Sequence, residues 1–428
     1  MPSARLIRRT RRDILKLGIL AAAARFRAPA LAQDAAARVV VIGGGFAGAT
    51  CARALKRLNR RLTVTLVEPN AEYIACPHSN LVIAGLRELR DQQFGYGQLR
   101  GAGVELVAQR ASAADPQSQA VTLGDGTRLN YDRLIVAPGI DIRWDALPGY
   151  DEAAAERMTH AWKAGPQTTL LRQQLDAMKD GGLVVISAPP NPFRCPPGPY
   201  ERASLIAWYL KTRKPRSKLI VLDAKDSFSK QKLFQNAWAE LYPGLIEWVP
   251  LSSGGKLVSV DPAALTLTTD FETYKPAVAN VIPPQRAGNI ADLAGVADRS
   301  GWCPIDPMTF ASTLQPNIHV IGDAAIAGAM PKSAFAANAQ AKVCAAAVAA
   351  LLAGDNPVQP KLINTCYSLA APEYGFSVAG VYHPVDRKLA DVEGAGGTSP
   401  LNAPEATRKQ EALLAEAWFR TITAEVFG

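Results

Sequence analysis

Nowhere in the 428 residues is there a Cys-x-x-Cys-His, so no c-type haem is attached to this chain. The four histidines, His78, His160, His319 and His383, show no metal-ligand spacing, and no metal is expected. No apolar run approaches the roughly 20 residues of a bilayer-spanning helix. Residues 17–24 are stopped by Arg25, and the Ala-rich stretch 334–352 is interrupted by Asn338, Gln340 and Lys342, so the chain is not expected to span a membrane. Charged residues make up only 20% against 48% hydrophobic ones, a balance too apolar for disorder and sufficient for two or three cored domains. A basic body is missing too. Of the net +9, residues 1–32 contribute +7 through eight Lys/Arg against Asp13 alone, so a nucleic-acid footprint on the remainder is not supported.

That leader has the parts of an export signal. Residues 10–16, Thr-Arg-Arg-Asp-Ile-Leu-Lys, resemble the twin-arginine motif, with Ile14 where Phe is usual. An eight-residue apolar run comes after it, then the small residues Ala30-Leu31-Ala32 that a signal peptidase needs. Residues 1–32 are therefore expected to be a twin-arginine signal peptide and the protein periplasmic. Such a route exports a protein already folded, which suits a cofactor loaded in the cytoplasm.

The segment after the leader is a dinucleotide site. Residues 38–42, Arg-Val-Val-Val-Ile, read as a buried parallel strand. They run into Gly43-Gly44-Gly45-Phe46-Ala47-Gly48 and then a helix over 49–58. Gly43 permits the tight turn, Gly45 lets a pyrophosphate approach the backbone, and Gly48 allows close helix–strand packing. A second strand over 62–67 ends at Glu68, twenty residues after Gly48, where an acid reaches the ribose hydroxyls.

Later segments choose the dinucleotide. After a hairpin signal at 124–126, residues 131–139 (Tyr-Asp-Arg-Leu-Ile-Val-Ala-Pro-Gly) resemble a stretch typical of two-dinucleotide-domain flavoproteins and bring Ala137 and Gly139 to the site. Residues 318–323 form another buried strand, ending in the Gly322-Asp323 that such flavoproteins set beside the FAD pyrophosphate and ribityl chain. An Ala-rich core helix comes next. The expected cofactor is FAD. A second Rossmann unit spans strands 182–186 and 218–223, but its phosphate loop is wrong for NAD: six prolines between 189 and 199 remove backbone donors and stiffen the segment.

Six cysteines, Cys51, Cys76, Cys195, Cys303, Cys344 and Cys366, allow fifteen disulfide pairings. Cys51 and Cys344 lie on helices and read as small core residues. Cys303 reads as structural, with proximity to the flavin as the alternative. Cys195 sits in the proline loop beside Arg194, Tyr200 and Glu201; Cys366 opens the region after the 354–360 linker. Spacing alone leaves open whether these two form a structural bridge or a redox pair.

Residues 193–203 (Phe-Arg-Cys-Pro-Pro-Gly-Pro-Tyr-Glu-Arg-Ala), 282–288 (Ile-Pro-Pro-Gln-Arg-Ala-Gly), 301–304 (Gly-Trp-Cys-Pro) and 364–368 (Asn-Thr-Cys-Tyr-Ser) resemble the flavoprotein subunit of flavocytochrome c sulfide dehydrogenase. The related flavoprotein of the thiosulfate-oxidising Sox system is similar. The resemblance runs from about residue 37 to the C-terminal Phe427-Gly428. It implies a redox disulfide between Cys195 and Cys366 near the flavin, Glu201 as an acid/base group, and Trp302 near the cofactor. It also implies FAD attached covalently through Cys76, in Tyr73-Ile74-Ala75-Cys76-Pro77-His78, where Pro77 and His78 depart from the family pattern; His78 is the alternative as a ring-tuning group or the link itself. A separate c-type cytochrome subunit would accept the electrons in a heterodimer.

The expected fold is α/β, with two Rossmann-like dinucleotide-binding domains of the disulfide-reductase flavoprotein type and a C-terminal α+β interface domain. The boundaries read 33–148 and 288–355 for the two parts of the FAD domain, 149–287 for the second Rossmann-like domain without a nicotinamide site, and 356–428 for the C-terminal domain. The expected activity is oxidation of sulfide to sulfane sulfur or polysulfide, with cytochrome c as acceptor. Two other readings stand beside it: an accessory flavoprotein that reactivates a thiosulfate-oxidising complex, and an NAD(P)H-dependent disulfide reductase, which the proline loop opposes. The apolar spacing of Leu413, Leu414, Trp418, Phe419 and Ile422 fits either a subunit interface or core packing.

Overall fold

Residues 36–428 are described in the computed structural model; the leader and its export motif lie outside the described residues. The β-branched run Arg38–Ile42 forms β1, buried except at Arg38. Helix α1, Phe46–Leu58, comes directly after and turns Ala49, Cys51, Ala52 and Leu55 into the core at helical spacing. Thr63–Val67 (β2) lies parallel to one side of β1; Glu105–Val107 (β3) extends the sheet beyond β2, and Arg133–Val136 (β4) lies on the other side of β1.

A second parallel sheet is built the same way. It runs through Leu183–Ala188 (β5), helix α2 at Gly198–Arg213, Lys218–Asp223 (β6), helix α3 at Gln231–Leu241, Ile246–Val249 (β7) and Val278–Val281 (β8). Its strand order is β7-β6-β5-β8. Val185, Leu222, Ala279 and Val281 form its core with Tyr150 and Met158.

The chain then returns to the first sheet. Ile318–Val320 (β9) pairs with β4 and completes the order β9-β4-β1-β2-β3, so segments some 180 residues apart share one sheet. Helix α4, Ala334–Ala353, is capped by Ser333, whose hydroxyl accepts from Ala336 N. Among the described residues it is the helix long and apolar enough to cross a bilayer. Here it packs on α1: Asn338 donates to Thr50 Oγ1 (3.0 Å), and Gln340 accepts from Gly322 N (2.8 Å).

An antiparallel sheet completes the chain, Leu362–Ala371 (β10), Tyr374–Val385 (β11) and Lys388–Asp391 (β12), with helix α5, Glu405–Val426, against it. The apolar residues of α5 divide: Phe419 and Ile422 are buried, Trp418 stacks with Phe335, and Leu413 and Leu414 are exposed. The architecture is α/β, two Rossmann-like sheets with a C-terminal α+β piece, and it leaves the carboxyl ends of β1, β4 and β9 around one groove.

Candidate active site

The glycine loop between β1 and α1 has no room for side chains. Gly43 takes φ +99°, and a Cβ there would lie 2.3 Å from Ala137 O; at Gly48 it would lie 1.8 Å from Gly43 O. The loop is thus fixed by close backbone approach, as its sequence implies. Glu68 accepts from Gly44 N (2.8 Å) and Asn70, so it holds the loop. Gly139 adopts φ +65°, open space lies where its side chain would be, and its carbonyl accepts from Gly288 N.

Further along the groove, Asp323 is pushed upward by burial, opposed by Arg194 and Lys332, and its Oδ1 is buried without a partner. Tyr96 OH, beside Gly44 and Glu68, is also buried and unpartnered. Lys332 donates to the Asp323 and Ala325 carbonyls (2.7 and 2.8 Å) with its ammonium 4.0 Å above the Trp302 ring. Burial brings it down to about 8 against the opposing pull of Asp323 and Cys303. A glycine cradle, an orphaned carboxylate oxygen where a ribityl hydroxyl would donate, and an orphaned hydroxyl beside the loop fit FAD. The Cys76 thiol is half-buried in the same region, against the Trp162 carbonyl (3.9 Å). Arg194 also donates to that carbonyl, and its guanidinium stands 4.0 Å from Asp323. Burial opposes the charge on Arg194, but Cys76, Asp323, Tyr73 and Cys195 around it outweigh burial and keep it cationic.

Both cysteines of interest hang from one turn, the Lys332-Ser333 entry to α4. Cys195, at φ +56°, donates its N–H to Lys332 O (2.9 Å). Asn364 accepts from the Ser333 hydroxyl (2.6 Å) and donates through Nδ2 to Cys366 Sγ (3.3 Å). Cys195 and Cys366 are free thiols here. Glu201, in the first turn of α2, accepts from Leu369 N (3.0 Å) and Asn80 Nδ2 (2.8 Å), tying α2 to the strand of Cys366. Burial and then Glu201 push the Cys195 thiol well up. Arg202, buried beneath them, holds Asn80, Asn280 and the carbonyls of His160 and Ala161; burial lowers it to about 10. Lys230, at the start of α3, turns its ammonium inward to Cys366 O (2.8 Å) and Ser368 Oγ (2.7 Å).

Thus Cys195, Glu201 and Cys366 come together on one side, with Cys76, Trp302 and Asp323 on the other and Arg194 between. Lys230, Lys332 and Asn364 are not marked by the sequence as site residues. His78 is engaged elsewhere: it stacks on Phe419 (4.7 Å), with Nδ1 3.3 Å from Glu416, on which Arg87 also closes. Cys51, Cys303 and Cys344 are fully buried, and the thiols of Cys51 and Cys344 face one another beneath His319.

In the second Rossmann unit, Asp223 ends β6 where an acid would hold a nucleotide ribose. It is fully buried and accepts from Tyr200 OH (2.6 Å), Trp248 Nε1 (3.0 Å) and Lys225 (2.6 Å); Phe228 stacks on Tyr200 at 3.6 Å. Lys225 also takes the Pro189 carbonyl (2.7 Å), closing the proline loop onto the acid. The space around this acid is filled by the protein's own side chains.

Residues 168–283 match the central part of the sulfide dehydrogenase (flavocytochrome c) flavoprotein chain, and residues 358–427 match the flavocytochrome c sulphide dehydrogenase flavin-binding family. The chain is also 53% identical over 45 residues to the sulfide dehydrogenase (flavocytochrome c) flavoprotein chain of Chlorobaculum thiosulfatiphilum, 94% of that sequence and 10% of this one. The chain belongs to the flavocytochrome c sulfide dehydrogenase flavoprotein family. Residues 37–186 match the broader pyridine nucleotide-disulphide oxidoreductase family. The mitochondrial sulfide:quinone oxidoreductase of Mus musculus is 25% identical over 307 residues, 67% of this chain, and the match spans 65% of the mouse protein. The solved sulfide:quinone oxidoreductase of Aquifex aeolicus shares the fold with a TM-score of 0.70 and 18% identity, over 91% of this chain and 92% of the other.

Proposed function

We propose that the protein is an exported, periplasmic FAD enzyme that oxidises sulfide to sulfane sulfur or polysulfide and passes the electrons to a c-type cytochrome subunit. Cys195 and Cys366 would serve as the redox disulfide and Cys76 as the covalent link to FAD. The observation that carries most weight is the tethering of both cysteines to the Lys332-Ser333 turn, Cys195 by its backbone N–H and Cys366 through Asn364, beside the groove of Asp323 and Cys76. FAD, when bound, supplies the two-electron acceptor. The chain's own part is to hold two sulfurs together at the groove, to keep Arg194 cationic there for anionic species, and to pin Glu201 where it can exchange a proton with sulfur. HS⁻ adds to one sulfur of the disulfide, giving a persulfide, and the other sulfur leaves as thiolate with the electron pair of the broken bond.

An anaerobic titration of the mature flavoprotein, following flavin absorbance with sulfide and NADH added separately, tests this. Bleaching by sulfide alone is expected, with reoxidation by cytochrome c faster than by a quinone. No response to sulfide would overturn the reading and favour the reactivation of a thiosulfate-oxidising complex. Cys195→Ser and Cys366→Ser are each expected to keep bound FAD and lose bleaching by sulfide; an active Cys366→Ser enzyme would sink the disulfide route.

A further inference from the structure

The two cysteines do not share one environment. Cys366 Sγ accepts from Asn364 Nδ2 at 3.3 Å. The Ser333 hydroxyl accepts from Ala336 N and gives its own proton to Asn364 Oδ1, which leaves the NH₂ end of the amide for the sulfur. On the other side Lys230 reaches the Cys366 carbonyl and the Ser368 hydroxyl, and of the titratable groups facing this ammonium Cys366 interacts most strongly. Lys230 takes φ +63°, a backbone conformation that Lys rarely adopts, and both of its hydrogen-bond partners are neutral. Glu201 and Glu411 balance this cation only from beyond salt-bridge distance, so an anion formed on Cys366 would be its closest charged partner. Cys195 has different surroundings: burial and then Glu201 disfavour negative charge on its sulfur, and Arg194 and Lys230 offset them only in part.

We infer that Lys230 and Asn364 are positioning residues that set the direction in which the cysteine pair opens: HS⁻ adds to Cys195, and Cys366 is released as the thiolate. The S–S bond breaks, a new S–S bond joins the incoming sulfur to Cys195, and the electron pair of the old bond stays on Cys366, where an amide donor and an ammonium receive it. The sulfane sulfur is thereby carried by the proline loop and the reducing thiolate by β10. The groups facing Cys366 are Lys230 before α3, Cys195 from the proline loop and Tyr382 from β11; Glu201 of α2 and Glu411 of α5 face Lys230 in turn.

The inference rests on the proposed disulfide reading, and two measurements keep their failures apart. In the first, oxidised wild-type protein receives one equivalent of sulfide anaerobically, is quenched with iodoacetamide, and is mapped by peptide mass. The extra sulfur is expected on Cys195 and a plain alkyl group on Cys366. Extra sulfur on Cys366 overturns the direction while leaving the disulfide reading intact; none on either overturns both. In the second, the iodoacetamide reactivity of Cys366 in the reduced protein is followed against pH, which requires no turnover. Lys230→Met is expected to move the midpoint up by about one pH unit, about tenfold in rate at fixed pH, with Lys230→Arg restoring it. Asn364→Ala is expected to shift it in the same sense and carries the comparison if Lys230→Met fails to fold. An unmoved midpoint overturns the roles of both residues, whatever the sulfide titration gives.

Discussion

Glu201 illustrates how much one side chain can bear. Its carboxylate is a two-point tie between α2 and β10, and it is also the charge that leads the opposition to ionised Cys195. Glu201→Gln separates the two roles. The amide can still accept from Leu369 N, but its NH₂ then meets Asn80 Nδ2, and Asn80 cannot flip because its Oδ1 is held by Arg202. The mismatch is expected to cost about 1–3 kcal/mol in urea unfolding. The same variant removes the charge facing Cys195, so its alkylation in the reduced protein should move to lower pH. At this scale the sequence is partly legible. Cys195, Cys366 and Glu201 stand in unusual motifs that mark them out. Lys230 comes 136 residues before Cys366 and is a single lysine in a polar turn; no spacing or periodicity marks it, because its role arises when α3 is laid beside β10.

Helix ends carry the next layer. Ser333 caps α4 and orients Asn364, so Ser333→Ala should lose about 1 kcal/mol of stability in thermal unfolding, the usual worth of an N-cap, and free the amide facing Cys366. At α5, Glu416 is pulled down to about 2, first by its hydrogen bond with His78 and also by Arg87, with burial opposing. Its folded value lies below the ordinary 4.5, so its contribution is complete above 4.5 and is lost as pH falls from there towards 2. Acid unfolding over that window should be steeper in wild type than in Glu416→Gln; equal slopes would show that the node does not hold α5. The long elements are legible from pattern: the β-branched run of β1, the glycine loop and the Ala-rich α4 state their geometry locally. The α5 stripe is ambiguous, because helical apolar spacing says that a face is buried and not against what. Phe419 and Ile422 go inward while Leu413 and Leu414 stay out.

For the whole molecule, the fold class is legible because strand, turn and helix signals recur in Rossmann order twice. The proline loop carries the expectation that the second unit lacks a nicotinamide site, but it does not tell what surrounds Asp223. That space is filled by Tyr200, Phe228 and Trp248, brought around Asp223 from α2, the loop before α3 and β7. Millimolar NADH or NADPH should therefore leave both the flavin spectrum and tryptophan fluorescence unchanged, and quenching of Trp248 by either nucleotide would contradict the filled site. The same cluster also makes the position around Asp223 hard to reopen. Restoring glycines to the 189–199 loop would not by itself readmit a nucleotide, since the ribose acid is already engaged by three donors and roofed by an aromatic stack. Removing the Tyr200–Phe228 stack alone would take one donor from a buried carboxylate that Trp248 and Lys225 still hold, so that step loses stability without freeing the acid for a ligand.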